Sequence, residues 1–186
     1  HAVKLQEYMA DFNIIAEIGI NHRGCIETAR RLIDQAASAN CWGVKFQYRH
    51  LESFYGSAQE IGDGIILEEL ERVDLGIAEF ISLAKYAKQN GLKAGVSFFR
   101  IRDFEEFGEA LEYYDFFKVP SAECTNLPLI DKLLETKKQI MVSTGGHALD
   151  LVNKVLGPLR ANDLVVFHCI ANYPVKLGAQ GLRALS

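Results

Sequence analysis

Short apolar runs rich in β-branched residues alternate along the chain with segments of helical periodicity. Runs of about four to eight apolar residues, bounded by glycine or polar residues, are typical of buried parallel strands. Six such runs are predicted to be strands: Ile14–Ile18, Gly43–Phe46, Ala94–Phe99, Phe116–Val119, Ile140–Ser143 and Leu164–Cys169. The alternation therefore predicts repeated strand–helix units that build a parallel sheet covered by helices.

The segments between these runs repeat apolar residues at the three-and-four spacing of an amphipathic helix. Glu27–Ser38 has this spacing, and Ile77–Asn90 repeats it before Gly91, a residue that commonly ends a helix. Three further helices are predicted at Asp103–Leu111, Leu127–Leu134 and Leu149–Leu159. The glycine-containing segment Arg49–Glu71 does not alternate in this way. We expect a long excursion there, of a length that is usually a functional lid or a disordered loop.

Chain length distinguishes two α/β folds. A complete (β/α)8 TIM barrel takes about 250 residues, so about six strand–helix units in 186 residues predict a barrel truncated after the sixth unit. The alternative is an open doubly wound sheet, which is expected to carry a GxGxxG phosphate loop after its first strand. Residues 19–24 read Gly-Ile-Asn-His-Arg-Gly and do not match that loop. We therefore expect one incomplete TIM-barrel domain over residues 1–186, without strands 7 and 8.

Composition and charge exclude several classes of partner. The formal net charge is −4 and no cluster of lysine and arginine stands out, which argues against nucleic acid or an anionic membrane. No apolar stretch approaches the about 18 residues that would span a bilayer. The four cysteines lie far apart in the sequence without CxxC spacing. This predicts free thiols in a reducing compartment. We expect a cytoplasmic protein that binds neither nucleic acid nor a membrane.

Two lysines lie within apolar strand ends, where a barrel carries its chemistry. They are Lys45 and Lys118, and lysine is almost never fully buried without a partner. An anion would supply one: with Ser121 and Ser143 the lysines offer two positive charges and two hydroxyl donors for a phosphate and a carboxylate. The alternative is that each lysine forms an internal salt bridge to a nearby glutamate.

The candidate glutamates lie in the same predicted mouth. Glu17 interrupts the first apolar strand near its carboxyl end, where a carboxylate is costly to desolvate unless it is paired or used. Glu123 follows the fourth strand. Either residue is a functional acid or the partner of a lysine in an internal salt bridge, and the residues alone leave both interpretations open.

Five motifs occur in series between about residue 13 and residue 177. They are Ala16-Glu17-Ile18-Gly19-Xaa-Asn21-His22-Xaa-Gly24, Val44-Lys45-Phe46-Gln47, Phe117-Lys118-Xaa-Xaa-Ser121-Xaa-Glu123, Ser143-Thr144-Gly145 and His168-Cys169-Xaa-Xaa-Xaa-Tyr173-Pro174. In this order they closely resemble the sialic acid (N-acetylneuraminate) synthase family. Its members condense phosphoenolpyruvate with N-acetylmannosamine or a related aldose. One such motif is weak, whereas five in order are highly specific.

The resemblance implies a role for each matching residue. Four match positions that bind phosphoenolpyruvate: Lys45, Lys118, Ser121 and Ser143. Two match positions near the sugar: Gln47 and Tyr173. Two match acids of the mouth, the first assisting at the aldehyde or at the attacking water: Glu17 and Glu123. Asn21 and His22 belong to the turn after strand 1 and are expected to shape it, while His168 is either a structural histidine or a contact residue.

The resemblance also implies the reaction and its requirements. Phosphoenolpyruvate and an N-acetylated aldose give a 2-keto-3-deoxy sugar acid and phosphate, with a divalent metal, Mn²⁺ or Mg²⁺, as cofactor. The family's metal-binding histidines lie on strand 7 and beyond, so we predict that this chain contains no metal ligands. We expect the antifreeze-like domain that many relatives carry at their carboxyl end to be absent too. We expect a homo-oligomer that carries most of the phosphoenolpyruvate site, without robust synthase activity by itself.

Two other functions stay open. Lys118 in an apolar strand could be the nucleophilic amine of a Schiff-base aldolase. Alternatively, the chain is a truncated, non-catalytic barrel that binds an anionic metabolite or a partner protein. An incomplete barrel exposes two strand edges and an apolar interior, which favours association.

Overall fold

The structure is a computed structural model that describes residues 12–48, 75–159, 164–172, 174–176, 178 and 181. In that part of the chain six strands form one sheet, and each neighbouring pair is parallel. They are β1 (Ile15–Gly19), β2 (Gly43–Gln47), β3 (Lys93–Ser97), β4 (Phe116–Val119), β5 (Gln139–Ser143) and β6 (Leu164–Phe167). Their order across the sheet is the order in which they follow along the chain.

This sequential order decides between the two predicted folds. A doubly wound sheet reverses its strand order part-way, whereas a TIM barrel adds each strand beside the previous one. The described residues therefore form six consecutive strands of a (β/α)8 TIM barrel, as predicted. The doubly wound alternative is wrong.

The helices cover the outer face of the sheet. They are α1 (Ile26–Ser38), α2 (Ile77–Gln89), α3 (Ile101–Phe107), α4 (Leu127–Glu135) and α5 (Leu149–Leu156). The predicted helix Asp103–Leu111 is wrong in its second half, because α3 ends at Phe107 and a 3₁₀ helix, Gly108–Tyr113, follows it. Gly108 has a φ of 48°, which α-helical geometry does not allow, and it separates the two. Another 3₁₀ turn, Gly157–Leu159, follows α5.

Two strands end earlier than their apolar runs predict. The run assigned to the third strand continues to Phe99, but β3 ends at Ser97. Phe98 lies beyond the strand and is apolar because it packs against a helix: it is fully buried, with its ring centroid 5.2 Å from that of Phe107 on α3. Similarly, β6 ends at Phe167, and the two residues that follow it line a cavity instead of extending the sheet.

An aromatic cluster packs against the carboxyl ends of β2 and β3. The Tyr48 ring lies 5.4 Å from that of Phe80 on α2 and 4.7 Å from that of Phe107 on α3. Tyr114 is buried beside them and donates a hydrogen bond to the Phe80 carbonyl oxygen at 3.0 Å. The Tyr48 N–H donates to the carbonyl oxygen of Ser97. The cluster therefore packs against both strand ends at the carboxyl face of the sheet.

The predicted excursion Arg49–Glu71 lies outside the described residues. Of the helices that the structure describes, not one combines the length and the apolar character needed to cross a membrane.

Candidate functional site

A cavity of ≈ 540 Å³ opens beyond the carboxyl ends of the strands. The carboxyl ends of parallel barrel strands meet at one face, which brings residues distant in sequence together there. Its walls come from β1, β2, β4, β5 and β6 and from the segments that follow β1, β3, β4 and β6. Most of the predicted site residues line it: Glu17, Lys45, Gln47, Lys118, Ser121 and Ser143.

The end of β1 is shaped by an irregularity in its pairing with β2. Glu17 is in register with Lys45, but the next paired residue is Gly19, opposite Phe46. Gly19 has a φ of 55°, in the left-handed region that favours glycine. A Cβ there would also lie 3.2 Å from Gln47 Oε1 and 3.4 Å from Glu17 Oε1. The glycine thus lets the chain turn while the two side chains stay close together at the mouth.

The turn after β1 is stabilised from within. The Asn21 N–H donates to the Ile18 carbonyl oxygen at 2.9 Å, and the Gly24 N–H donates to Nδ1 of His22 at 3.1 Å. His22 is 1% exposed, and this burial lowers its pKa. Asn21, in contrast, lines the cavity. His22 therefore supports the turn that places Asn21 at the mouth.

Lys45 is a buried cation with two protein partners. Its side chain is 1% exposed, and its Nζ donates to Ser97 Oγ at 2.7 Å and lies 2.6 Å from Glu17 Oε1. The pKa of Lys45 is lowered to about 8, mainly by burial and in smaller part by the Lys118 charge, while Glu17 opposes this shift. The internal salt bridge considered above is therefore present at Lys45. An ammonium has three N–H donors, so one remains for a ligand.

Lys118 brings a second positive charge to the same cavity. It is partly buried on β4, in register with Ser97 of β3. Within the described ranges no carboxylate forms an ion pair with it. The cavity thus holds two lysines and one carboxylate, Glu17, which is paired with Lys45, and the excess positive charge is suited to an anion.

The two serines lie on neighbouring strand ends. Ser143 is the last residue of β5 and is buried, while Ser121 begins a 3₁₀ turn after β4. The Gly145 N–H donates to Ser121 Oγ at 3.0 Å, which leaves the hydroxyl proton of Ser121 for a ligand. Nε2 of His147 lies 2.8 Å from the Ser121 carbonyl oxygen and donates to it, because a carbonyl can only accept. Both contacts join the loops after β4 and β5.

Comparison with known proteins places this arrangement in a family. The family model for the NeuB family matches residues 32–186, most of the chain. The chain belongs to the NeuB family.

Two curated relatives illustrate the match. The N-acetylneuraminate-9-phosphate synthase of Drosophila melanogaster is 31% identical over 172 residues, which cover 87% of this chain and 46% of that protein. The N,N'-diacetyllegionaminic acid synthase of Campylobacter jejuni is 27% identical, over 92% of this chain and 55% of that protein. This NeuB-family chain therefore spans about half the length of the curated relatives it matches.

A solved structure shows the same fold. The N-acetylneuraminic acid synthetase of Leptospira borgpetersenii, solved in complex with citrate, superposes with a TM-score of 0.80 at 22% identity. The superposition covers 92% of this chain and 58% of that one. It confirms the predicted fold of the NeuB-family chain.

One predicted site residue is not brought to the cavity. Glu123 lies on the 3₁₀ turn after β4, where its Oε2 accepts a hydrogen bond from Asn126 Nδ2 at 2.8 Å, and it does not line the cavity. Asn126 Oδ1 in turn caps α4 by accepting from the Leu129 N–H. The position therefore favours a structural role for Glu123 over that of a second acid in the mouth. Tyr173 lies outside the described residues.

Other residues of this NeuB-family site were not identified from the sequence. Ser97 contacts Lys45 but was assigned to the interior of a longer strand; correct placement of the end of β3 would have marked it as a strand-end residue. His147 holds Ser121 through a loop contact that no sequence spacing indicates. His168, by contrast, was expected to be either a structural histidine or a contact residue; it is exposed and lines the cavity, as does Cys169, which is partly buried.

The metal expected for the family finds no matching site in the part of the chain that the structure describes. No group of three or more His, Cys, Asp or Glu side chains there could hold a metal ion. The carboxylate of the cavity, Glu17, is already paired with Lys45, and His22 is buried with Nδ1 engaged. The described residues therefore do not fit a metal centre by themselves.

Proposed function

We propose that this cavity binds phosphoenolpyruvate and that the protein is a sialic acid synthase of the NeuB family. The reaction would join phosphoenolpyruvate to an N-acetylated aldose and release phosphate. One observation carries the proposal: two lysines and two serines from three strand ends converge on one cavity. They are Lys45, Lys118, Ser121 and Ser143. The names of the relatives, synthases of N-acetylated nonulosonic acids, support the same reaction.

The side chains match the ligand in charge and in hydrogen bonding. Phosphoenolpyruvate carries a phosphate and a carboxylate, both of which accept hydrogen bonds only. Lys45 and Lys118 offer ammonium donors, and Ser121 offers a hydroxyl proton that its contact with Gly145 leaves available. Charge-assisted hydrogen bonds of this kind are about twice as strong as neutral ones. Since the donors lie on strand ends, they are held in place before the ligand arrives.

In the proposed reaction C3 of phosphoenolpyruvate attacks the aldehyde carbon of the open-chain sugar, and the aldehyde oxygen takes up a proton. Water adds to the cationic C2 and loses a proton. The bond between C2 and the phosphate oxygen of the tetrahedral intermediate then breaks, and the C2 hydroxyl gives its proton to the departing phosphate, which leaves a ketone and inorganic phosphate. The lysines balance the charge of the departing phosphate.

Glu17 is positioned for the water. It lines the cavity and is 54% exposed, while its Oε1 is held 2.6 Å from Lys45 Nζ. A carboxylate at this place in the cavity can accept a proton from a water molecule. We therefore assign Glu17 the proton of the attacking water. Gln47, beside it, is assigned to the sugar. No step is assigned to a metal or to Glu123.

A second candidate is anion binding without catalysis. One finding favours this candidate. The family's chemistry is expected to use a metal, and the described residues do not fit a metal centre. Phosphoenolpyruvate binding is common to both candidates, and turnover with an added aldose separates them. The expected homo-oligomer stays a prediction.

Removing Lys118 should weaken phosphoenolpyruvate binding about tenfold or more, because a hydrogen bond to a charged group contributes about 1.5–3 kcal/mol. Calorimetric titration of Lys118→Ala against the unchanged chain measures this. Lys132→Ala is the matched control: that lysine is 44% exposed and paired with Glu135 on α4. Equal affinities of the Lys118 variant and the unchanged chain would contradict the assignment.

Borohydride trapping of a carbonyl substrate on Lys118 would instead support the Schiff-base aldolase.

Phosphoenolpyruvate binding should weaken as the pH rises through about 8, the pKa of Lys45. The ammonium is the form that binds an anion, and its lowered pKa means that the proton is lost in this range. Above it, affinity should fall by up to about tenfold per pH unit. Titrations between pH 7 and pH 9.5 measure the slope, with Lys45→Met as the variant in which this component disappears. A flat profile of the unchanged chain would contradict the role of Lys45.

A further inference from the structure

Ser97 ends β3 beneath the cavity and contacts Lys45 without lining the cavity itself. It is fully buried, and its Oγ accepts a hydrogen bond from Lys45 Nζ at 2.7 Å. Its backbone is held on both sides, in register with Gln47 of β2 and with Lys118 of β4. The Tyr48 N–H also donates to its carbonyl oxygen at 3.1 Å. The residue that carries this hydroxyl is therefore held through its backbone on both sides.

The second partner of Lys45 is held less firmly. Glu17 is 54% exposed and lies at the irregular end of β1, beside the positive-φ turn at Gly19. A lysine side chain has four flexible carbons, so an ammonium held by Glu17 alone could follow that carboxylate as it moves. The fixed partner is Ser97.

We propose that Ser97 is a positioning residue that holds the Lys45 ammonium with one N–H directed at the ligand. This inference rests on the proposed function, because the ligand it serves is phosphoenolpyruvate. With Ser97 and Glu17 each accepting one N–H, the third is left for the cavity. Without the Ser97 oxygen, Lys45 moves towards Glu17 and the third N–H loses its direction.

The contact also stabilises the charged form of Lys45. An oxygen that accepts from an ammonium stabilises the charge, whereas burial and the neighbouring Lys118 oppose it. Of the charged groups that face Lys45 in the described chain, Glu17 favours the ammonium and Lys118 disfavours it. Loss of the Ser97 oxygen removes one favourable contact while both charges remain. The pKa of Lys45 should then fall below its present value of about 8.

The test compares Ser97→Ala with Ser97→Cys and Ser97→Thr. Alanine removes the acceptor, cysteine keeps the shape with a much weaker acceptor, and threonine restores the hydroxyl. Ser82→Ala is the matched control, because Ser82 Oγ also accepts from a cation, Arg30, at 3.3 Å, but lies on the outer helical face. The ε-carbon resonance of Lys45 in ¹³C-lysine-labelled protein reports its titration, and its absence from Lys45→Met identifies it.

We expect the Lys45 titration to move down by about half a pH unit or more in the alanine and cysteine variants. Phosphoenolpyruvate affinity at pH 7.5 should fall about tenfold in both, and threonine should restore both properties. An unchanged Lys45 titration in the folded cysteine variant would overturn the inference. If the titration shifts but the unchanged chain does not bind phosphoenolpyruvate, the contact is real and the proposed function is wrong. If the titration shifts while affinity stays constant, Ser97 does not position Lys45 for the ligand.

Discussion

Replacing Lys45 with methionine is expected to weaken phosphoenolpyruvate binding by about 30-fold or more. The side chain is buried, and truncating one partner of a buried charged pair typically costs about 2–5 kcal/mol in binding. Methionine fills a similar volume without the charge, so the loss reports the ammonium and not a cavity. The substitution also leaves Glu17 without its cation, so that its existing negative charge lies uncompensated beside the ligand. Calorimetric titration at pH 7 measures the change.

Lys88→Met controls for the loss of an ion-paired lysine outside the site. Lys88 is 40% exposed, and its Nζ lies 3.4 Å from Asp115 Oδ1. This variant should bind phosphoenolpyruvate as the unchanged chain does. If Lys45→Met folds with the same circular dichroism spectrum and retains full affinity, Lys45 does not bind the ligand, and its charge has only the structural role of pairing with Glu17.

Replacing Gly95 with alanine should destabilise the fold by about 3 kcal/mol or more. A Cβ at Gly95 would lie 2.0 Å from Cε2 of Phe116 on the neighbouring strand. Phe116 is fully buried, with its ring centroid 5.4 Å from that of Trp42, so it has little room to move. Overpacking a core of this kind usually costs about 1–3 kcal/mol and occasionally more. Thermal melts followed by circular dichroism should show a fall in Tm of about 6–12 °C.

Gly157→Ala is the matched control for this substitution. Gly157 has a helical φ of −53°, and nothing lies within 4 Å of the position that its Cβ would take. Its melt should be unchanged or shifted slightly upwards, because alanine restricts the unfolded chain. Shortening the clashing ring in the double variant Gly95→Ala/Phe116→Leu should recover part of the loss. A Gly95→Ala melt that matches that of the unchanged chain would show that the two strands separate easily at this point.

The fold was predictable because strands buried on both faces are continuously apolar. Phe116–Val119 is apolar except at Lys118 and has no second reason to be apolar, and its predicted and observed bounds agree. The run that ends at Phe99 has such a second reason: Phe98 lies beyond the strand and is apolar because it packs against helix side chains. A one-dimensional pattern does not separate these two causes.

Most of the candidate site was predictable for a related reason. Once parallel strands were assigned, their carboxyl ends had to converge, and this brings Lys45, Lys118 and Ser143 to one cavity. Side-chain direction within a loop was not predictable in this way. Glu123 follows β4 as closely as Ser121 does, yet it is drawn to Asn126 at the start of α4. The contact of His147 with Ser121 depends equally on how two loops fold against each other.

The most direct test of the phosphoenolpyruvate site is a crystal structure of this chain with phosphoenolpyruvate at saturating concentration. We expect the ligand in the cavity at the carboxyl ends of the strands, with its anionic oxygens within hydrogen-bond distance of Lys45 Nζ, Lys118 Nζ and Ser121 Oγ. Ligand density elsewhere on the protein, or a cavity that stays empty in a folded, saturated crystal, would contradict the proposed site.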